Sequence, residues 1–120
     1  MKEFVLIFRE SNDRNLDVSP EDMQAVFKAW MQWMADIEAA GQLADKGNRL
    51  STAASSARTV KPGDVITDGP FVEIKEFING YMIVKTATIE EAVAIARRCP
   101  ILKMEGNVEV RTAIAVDDNS

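Results

Sequence analysis

Tyr81-Met82-Ile83-Val84-Lys85-Thr86-Ala87-Thr88-Ile89-Glu90-Glu91-Ala92-Val93-Ala94-Ile95-Ala96 decides the fold. Its first six residues alternate, Met82 and Val84 against Tyr81 and Ile83, which is the period of a strand. Thr88 with Glu91 three positions later then matches a capping box, and Ile89, Ala92, Val93 and Ala96 line one side of a helix that Pro100 ends. After a turn near Gly106-Asn107 the chain alternates again: Val108, Val110, Thr112, Ile114 and Val116 against Glu109, Arg111, Ala113 and Ala115. Strand, helix, strand is one half of a two-layer α+β domain.

Working toward the N-terminus, the same pattern recurs. Phe4, Leu6 and Phe8 alternate with Val5, Ile7 and Arg9, a first strand over residues 3–9. Ser19 suits a helix N-cap, Pro20 the first helical position, and Glu21 and Asp22 the positive end of the dipole. Met23, Val26, Phe27, Trp30, Met34 and Ile37 recur at helical steps, so a helix is expected to about Ala40 with Gly41 as its stop. Between the halves, Ala44 to Ser56 has neither period and reads as an excursion loop with a short extended piece around Leu50. Ala57 to Lys61 and Val65 to Thr67 flank Pro62-Gly63-Asp64 as a hairpin. Asn79-Gly80 reads as a further turn. The order is strand, helix, hairpin, strand, helix, strand, a ferredoxin-like antiparallel sheet with two helices on one face. Because both alternating sets are apolar in several strands, the other face needs a cover, and a second copy provides one.

Composition narrows the chemistry. The 120 residues are 47% hydrophobic and 28% charged, which supports a core of ordinary size in one domain. That domain is expected over residues 1–116, with 117–120 a disordered tail. With 14 Lys+Arg against 19 Asp+Glu the net charge is −5, so the basic footprint of direct nucleic-acid binding is missing. No apolar stretch approaches the ~20 residues of a membrane helix and no signal peptide is visible, so a soluble, cytoplasmic protein without membrane contact is expected. There is no histidine, which removes imidazole as general base or ligand, and a single cysteine makes no metal site. No metal or cofactor is expected.

One run is more specific than patterning. Thr67-Asp68-Gly69-Pro70-Phe71-Val72-Glu73-Ile74-Lys75-Glu76, followed by Asn79-Gly80-Tyr81-Met82-Ile83-Val84, resembles the signature of the DGPF branch of the YCII-related family. The opening strand, the capped helix 88–98 and Val108-Glu109-Val110-Arg111 resemble the same family. The resemblance implies a dimeric α+β barrel in which two ferredoxin-like subunits face each other through their sheets. It also implies kinship with cofactor-free isomerases, lyases and dehydrochlorinases, and with monooxygenases. The family's His–Asp pair would place its aspartate at Asp68, while its histidine has no counterpart here. Association of DGPF proteins with alternative sigma factors implies a role near transcriptional control.

Each candidate site residue has two readings. Asp68 is a base or ligand-binding carboxylate, or it is a turn residue bonding nearby backbone N–H groups. Lys75 would orient an acidic ligand and Glu76, or Glu73, would shuttle a proton; otherwise the run is a charged, solvated edge. Arg111, among alanines, would bind a carboxylate bidentately or pair with Glu109 of a partner chain or a hairpin carboxylate. Tyr81 would donate its phenol to a ligand or pack in the core. Trp30, Trp33, Met31 and Met34 would wall an apolar site or serve packing. Cys99, at a helix C-terminus whose dipole raises a thiol pKa, reads as inert. The expected function is small-molecule binding by a homodimer, with a small acidic or apolar ligand between the first helix and the sheet, met by Asp68, Lys75, Tyr81 and Arg111. The alternative is a cofactor-free isomerase, lyase or dehydrohalogenase using Asp68 or Glu76 as base; a third is a regulatory partner of another polypeptide.

Overall fold

Alternating apolar residues at 4, 6 and 8 and at 82 and 84 build the centre of the sheet. In the computed structural model, which describes residues 1–11, 20–51, 56–69 and 76–117, β1 (Lys2–Ser11) and β5 (Glu76–Thr86) pair antiparallel, with Phe4 opposite Val84 and Leu6 opposite Met82. β6 (Asn107–Thr112) pairs with the other edge of β1, and β2 (Leu43–Arg49) with the other edge of β5. The order β2-β5-β1-β6 is the ferredoxin-like antiparallel sheet that the sequence predicts. Helices α1 (Pro20–Ala39) and α2 (Ile89–Ala96) lie together on one face. There they seal Phe4, Leu6, Phe8, Met82 and Val84, all at most 3% exposed, under Trp33, Ile37, Ala92, Ile95 and Ala96. Trp33 donates its indole N–H to the Ile95 carbonyl at 3.0 Å, tying the two helices together, and Phe8, Trp30 and Trp33 pack edge to face. The Cα positions extend 47 × 43 × 18 Å, and the short dimension is that of one sheet and one helix layer.

Local signals act largely as expected. Thr88 caps α2 by accepting from the Glu91 N–H at 3.3 Å, while the Glu91 carboxylate reaches back to the Ala87 N–H at 3.1 Å. Gly41 closes α1 in the left-handed region at φ +71°, its N–H bonding the Glu38 carbonyl at 3.0 Å. The Ser19 cap lies outside the described residues. Strands β3 (Arg58–Lys61) and β4 (Val65–Asp68) form the expected hairpin, as a separate two-stranded sheet.

Five expectations are corrected. Residues 52–55 of the expected Ala44–Ser56 loop lie outside the described residues, but its first part is strand: Leu43–Arg49 is the edge strand β2. Its register shifts twice against β5, and Gly47, at φ +67°, sits where a Cβ would overlap the Tyr81 carbonyl. An irregular, mostly solvated edge strand carries no apolar period, so the pattern is invisible in sequence. Asn79-Gly80 is no turn: Phe8 pairs with Gly80 and Arg9 with Ile78, so Asn79 is the extra residue of a β-bulge inside β5. The last strand stops at Thr112; Ala113 still donates its N–H to the Glu3 carbonyl of β1 at 3.0 Å, but Ile114 and Val116 are exposed. α2 ends at Ala96, and Pro100 opens a 3-10 helix (Pro100–Met104) rather than directly ending α2. In α1 the buried residues are Trp33 and Ile37, in its C-terminal half, whereas Met23 and Phe27 of the predicted stripe are exposed.

Candidate functional site

Alternation gives the sheet a second face. With Phe4, Leu6 and Phe8 turned to the helices, Val5, Ile7 and Arg9 of β1 turn away from them. The register sets Ile7 between Tyr81 of β5 and Glu109 of β6, and Val5 between Ile83 and Arg111. On the outer side β2 adds Asn48 to the first row and Asp45 to the second. This face has an apolar centre of Val5, Ile7 and Ile83, each only half-buried, and no helix among the described residues covers it.

Two polar groups flank that centre. On the β2 side Asn48 donates its amide to the Tyr81 hydroxyl oxygen at 3.0 Å. A hydroxyl that accepts from one neighbour keeps its own proton for another acceptor. On the β6 side Glu109 accepts from Arg9 and, at 3.1 Å, from Arg111. The bonds from Arg111 and then Arg9 hold its carboxyl below the usual glutamate range, against a smaller effect of desolvation. Arg9 and Glu109 side chains are 24% and 36% exposed, whereas Arg111, on the edge strand, is 68% exposed. Tyr81 and Glu109 stand two strand spacings apart, about 9.5 Å across the sheet, room for a small ring or short chain lying on Ile7.

The predicted residues divide. Tyr81 and Arg111 share this face, so the expected pocket between α1 and the sheet is corrected: both sit on the side away from the helices, and the helix side beneath α1 is filled by Phe8, Trp30 and Trp33. Asp68 ends β4 in the separate hairpin, 88% exposed and paired with Arg58 at 3.2 Å. Lys75 and Glu73 lie outside the described residues, as does the side chain of Glu76, whose backbone begins β5. As site residues the sequence reading omits Arg9, Asn48 and Asp45, and it names Glu109 only as a partner-chain mate for Arg111, whereas the two pair within one chain. Arg9 and Glu109 carried a signal, since they share the outward parity of Ile7 and Arg111; Asn48 and Asp45 carried none while β2 was read as a loop.

Elsewhere, a groove of about 420 Å³ between α1 and the 3-10 helix is lined by Ala29, Trp33, Asp36, Arg98 and Lys103, and takes in Trp33 of the candidate apolar wall but none of Asp68, Tyr81 and Arg111. Cys99 is buried, and desolvation pushes its thiol up to about 12, opposed by a backbone hydrogen bond at Ile101. Burial, more than the helix dipole, keeps this thiol from acting as a nucleophile. Among the described residues no cluster of three or more His, Cys, Asp or Glu could hold a metal ion, and no helix is long and apolar enough to cross a membrane.

Against known proteins, the YCII-related domain family matches residues 3–116, nearly the whole chain. No curated protein matches the chain significantly.

Proposed function

The chain belongs to the YCII-related family, and from that premise we propose that it is a homodimeric small-molecule-binding domain of the DGPF type, whose two open sheet faces enclose the ligand. The observation that carries this is the Asn48-to-Tyr81 hydrogen bond on a half-apolar sheet face. It aims a phenol proton over Ile7 and Ile83, where a ligand's carbonyl or carboxylate oxygen can take it. Val5, Ile7 and Ile83 supply the apolar floor, and Arg9, steadied by Glu109, supplies charge at the far end. The ligand class that fits is a small molecule with an apolar body and one acidic or carbonyl group. Binding is preferred to turnover by Asp68, whose carboxylate is open to solvent and engaged by Arg58.

The test is a thermal-shift screen with benzoate, cinnamate and hexanoate. At least one should raise the melting temperature of the wild type, and Tyr81→Phe should remove about half or more of that rise without changing the molar mass. An equal response of Tyr81→Phe to every compound that stabilises the wild type would overturn the site.

A further inference from the structure

The charges on the open face are arranged so that a second copy matches them in one orientation. Across the sheet one row reads Asp45, Ile83, Val5, Arg111, and the next reads Asn48, Tyr81, Ile7, Glu109. Near the other end of the same strands Lys85 of β5 stands opposite Glu3 of β1. Each row thus has unlike groups at equal distances on either side of the line between β5 and β1. A two-fold axis along that line, parallel to the strands, exchanges β2 with β6 and β5 with β1, and keeps every row facing itself.

Resting on the open-face dimer proposed above, we infer that two copies pair about this axis, so that Asp45 of one protomer meets Arg111 of its partner at the rim. The same rotation places Lys85 over the other copy's Glu3, the Asn48 amide over its Glu109, and Tyr81 over its Ile7. Facing sheets lie about 10 Å apart, a gap that an arginine and an aspartate side chain span together. An axis laid across the strands instead would bring Arg111 to Glu109 of the partner, which already accepts from two guanidiniums in its own chain. Among the described residues Asp45 accepts only the local Gly47 N–H, at 2.7 Å and through Oδ1, so its second oxygen is the better-placed acceptor. Arg111 therefore clamps the dimer, while Arg9 and Tyr81 remain for the ligand. An isologous contact counts each such pair twice, which gives a single substitution unusual leverage.

The experiment is a charge swap read as the dimer dissociation constant by analytical ultracentrifugation. Asp45→Arg and Arg111→Asp should each weaken self-association about tenfold or more, and the double variant should return to within about threefold of wild type. Asp45→Asn keeps the oxygen that holds Gly47 and should weaken the dimer by a smaller factor, which separates lost charge from lost β2 geometry. A dimeric wild type whose affinity ignores the single changes, or single losses that the swap does not repair, would overturn this pairing while leaving the open-face dimer standing. A monomeric wild type would overturn both.

Discussion

The two faces of the four-stranded sheet come from the same strands and differ in completeness. On the helix side, Phe4, Leu6, Met82 and Val84 lie under α1 and α2 at 2% exposure or less. On the other side their immediate neighbours Val5, Ile7, Tyr81 and Ile83 are as apolar yet only half-buried, and the polar groups among them are organised in hydrogen-bonded sets. The contrast teaches where stability ends and function begins. One face holds the monomer together; the other spends apolar side chains on an open surface, which a chain folding only for itself has little reason to do.

Substitutions that separate the faces test this directly. The largest effect belongs to Phe4→Ala, which leaves a cavity under α2 and should cost about 3–5 kcal/mol in chemical denaturation. Ile7→Ala, one row over on the open face, should cost the isolated monomer less than about 1 kcal/mol. If the two variants lost equal stability below the dimer dissociation concentration, the distinction between the faces would collapse. Gly47→Ala is intermediate: forcing a Cβ onto a residue at φ +67° beside the Tyr81 carbonyl should cost about 1–3 kcal/mol. It should also weaken the ligand response with it, because β2 positions Asn48. A full thermal response in a destabilised Gly47→Ala would detach β2 from the site.

The smallest effect is in pH. Glu109 titrates below the ordinary glutamate value when folded, so its contribution is complete above about pH 4.3 and fades as the pH falls through the lower folded value. Glu109→Gln should therefore flatten the acid limb of a stability-against-pH curve and leave the neutral region nearly parallel to wild type. A steeper acid limb in the variant would show the sign to be wrong.

How much of this was legible in the sequence follows from what each residue faces. The centre of the sheet was readable because Phe4 to Phe8 and Tyr81 to Val84 answer to two apolar surfaces at once. α2 was readable because Thr88 and Glu91 make their cap locally. β2 was hidden: Leu-Ala-Asp-Lys-Gly-Asn-Arg is held by backbone pairing and bulges, not by buried alternating side chains. Asn79-Gly80 shows the converse, a strong local turn signal absorbed as a bulge because β1 continues alongside it. At the site, Tyr81 and Arg111 stood out as chemical types. Their placement on the open face depends on strand parity, and the Arg9–Glu109 pair depends on the β1–β6 register across a separation of 100 residues. No local pattern encodes such a register.

The central claim is that the open face is where a second copy sits. The most direct measurement is the molar mass by light scattering at micromolar concentration, for the wild type and for Ile7→Lys side by side. The account predicts about twice 13.3 kDa for the wild type and a folded monomer for the variant, whose lysine cannot enter an apolar interface without loss. A wild type at 13.3 kDa, or a variant that remains as dimeric as the wild type, would contradict it.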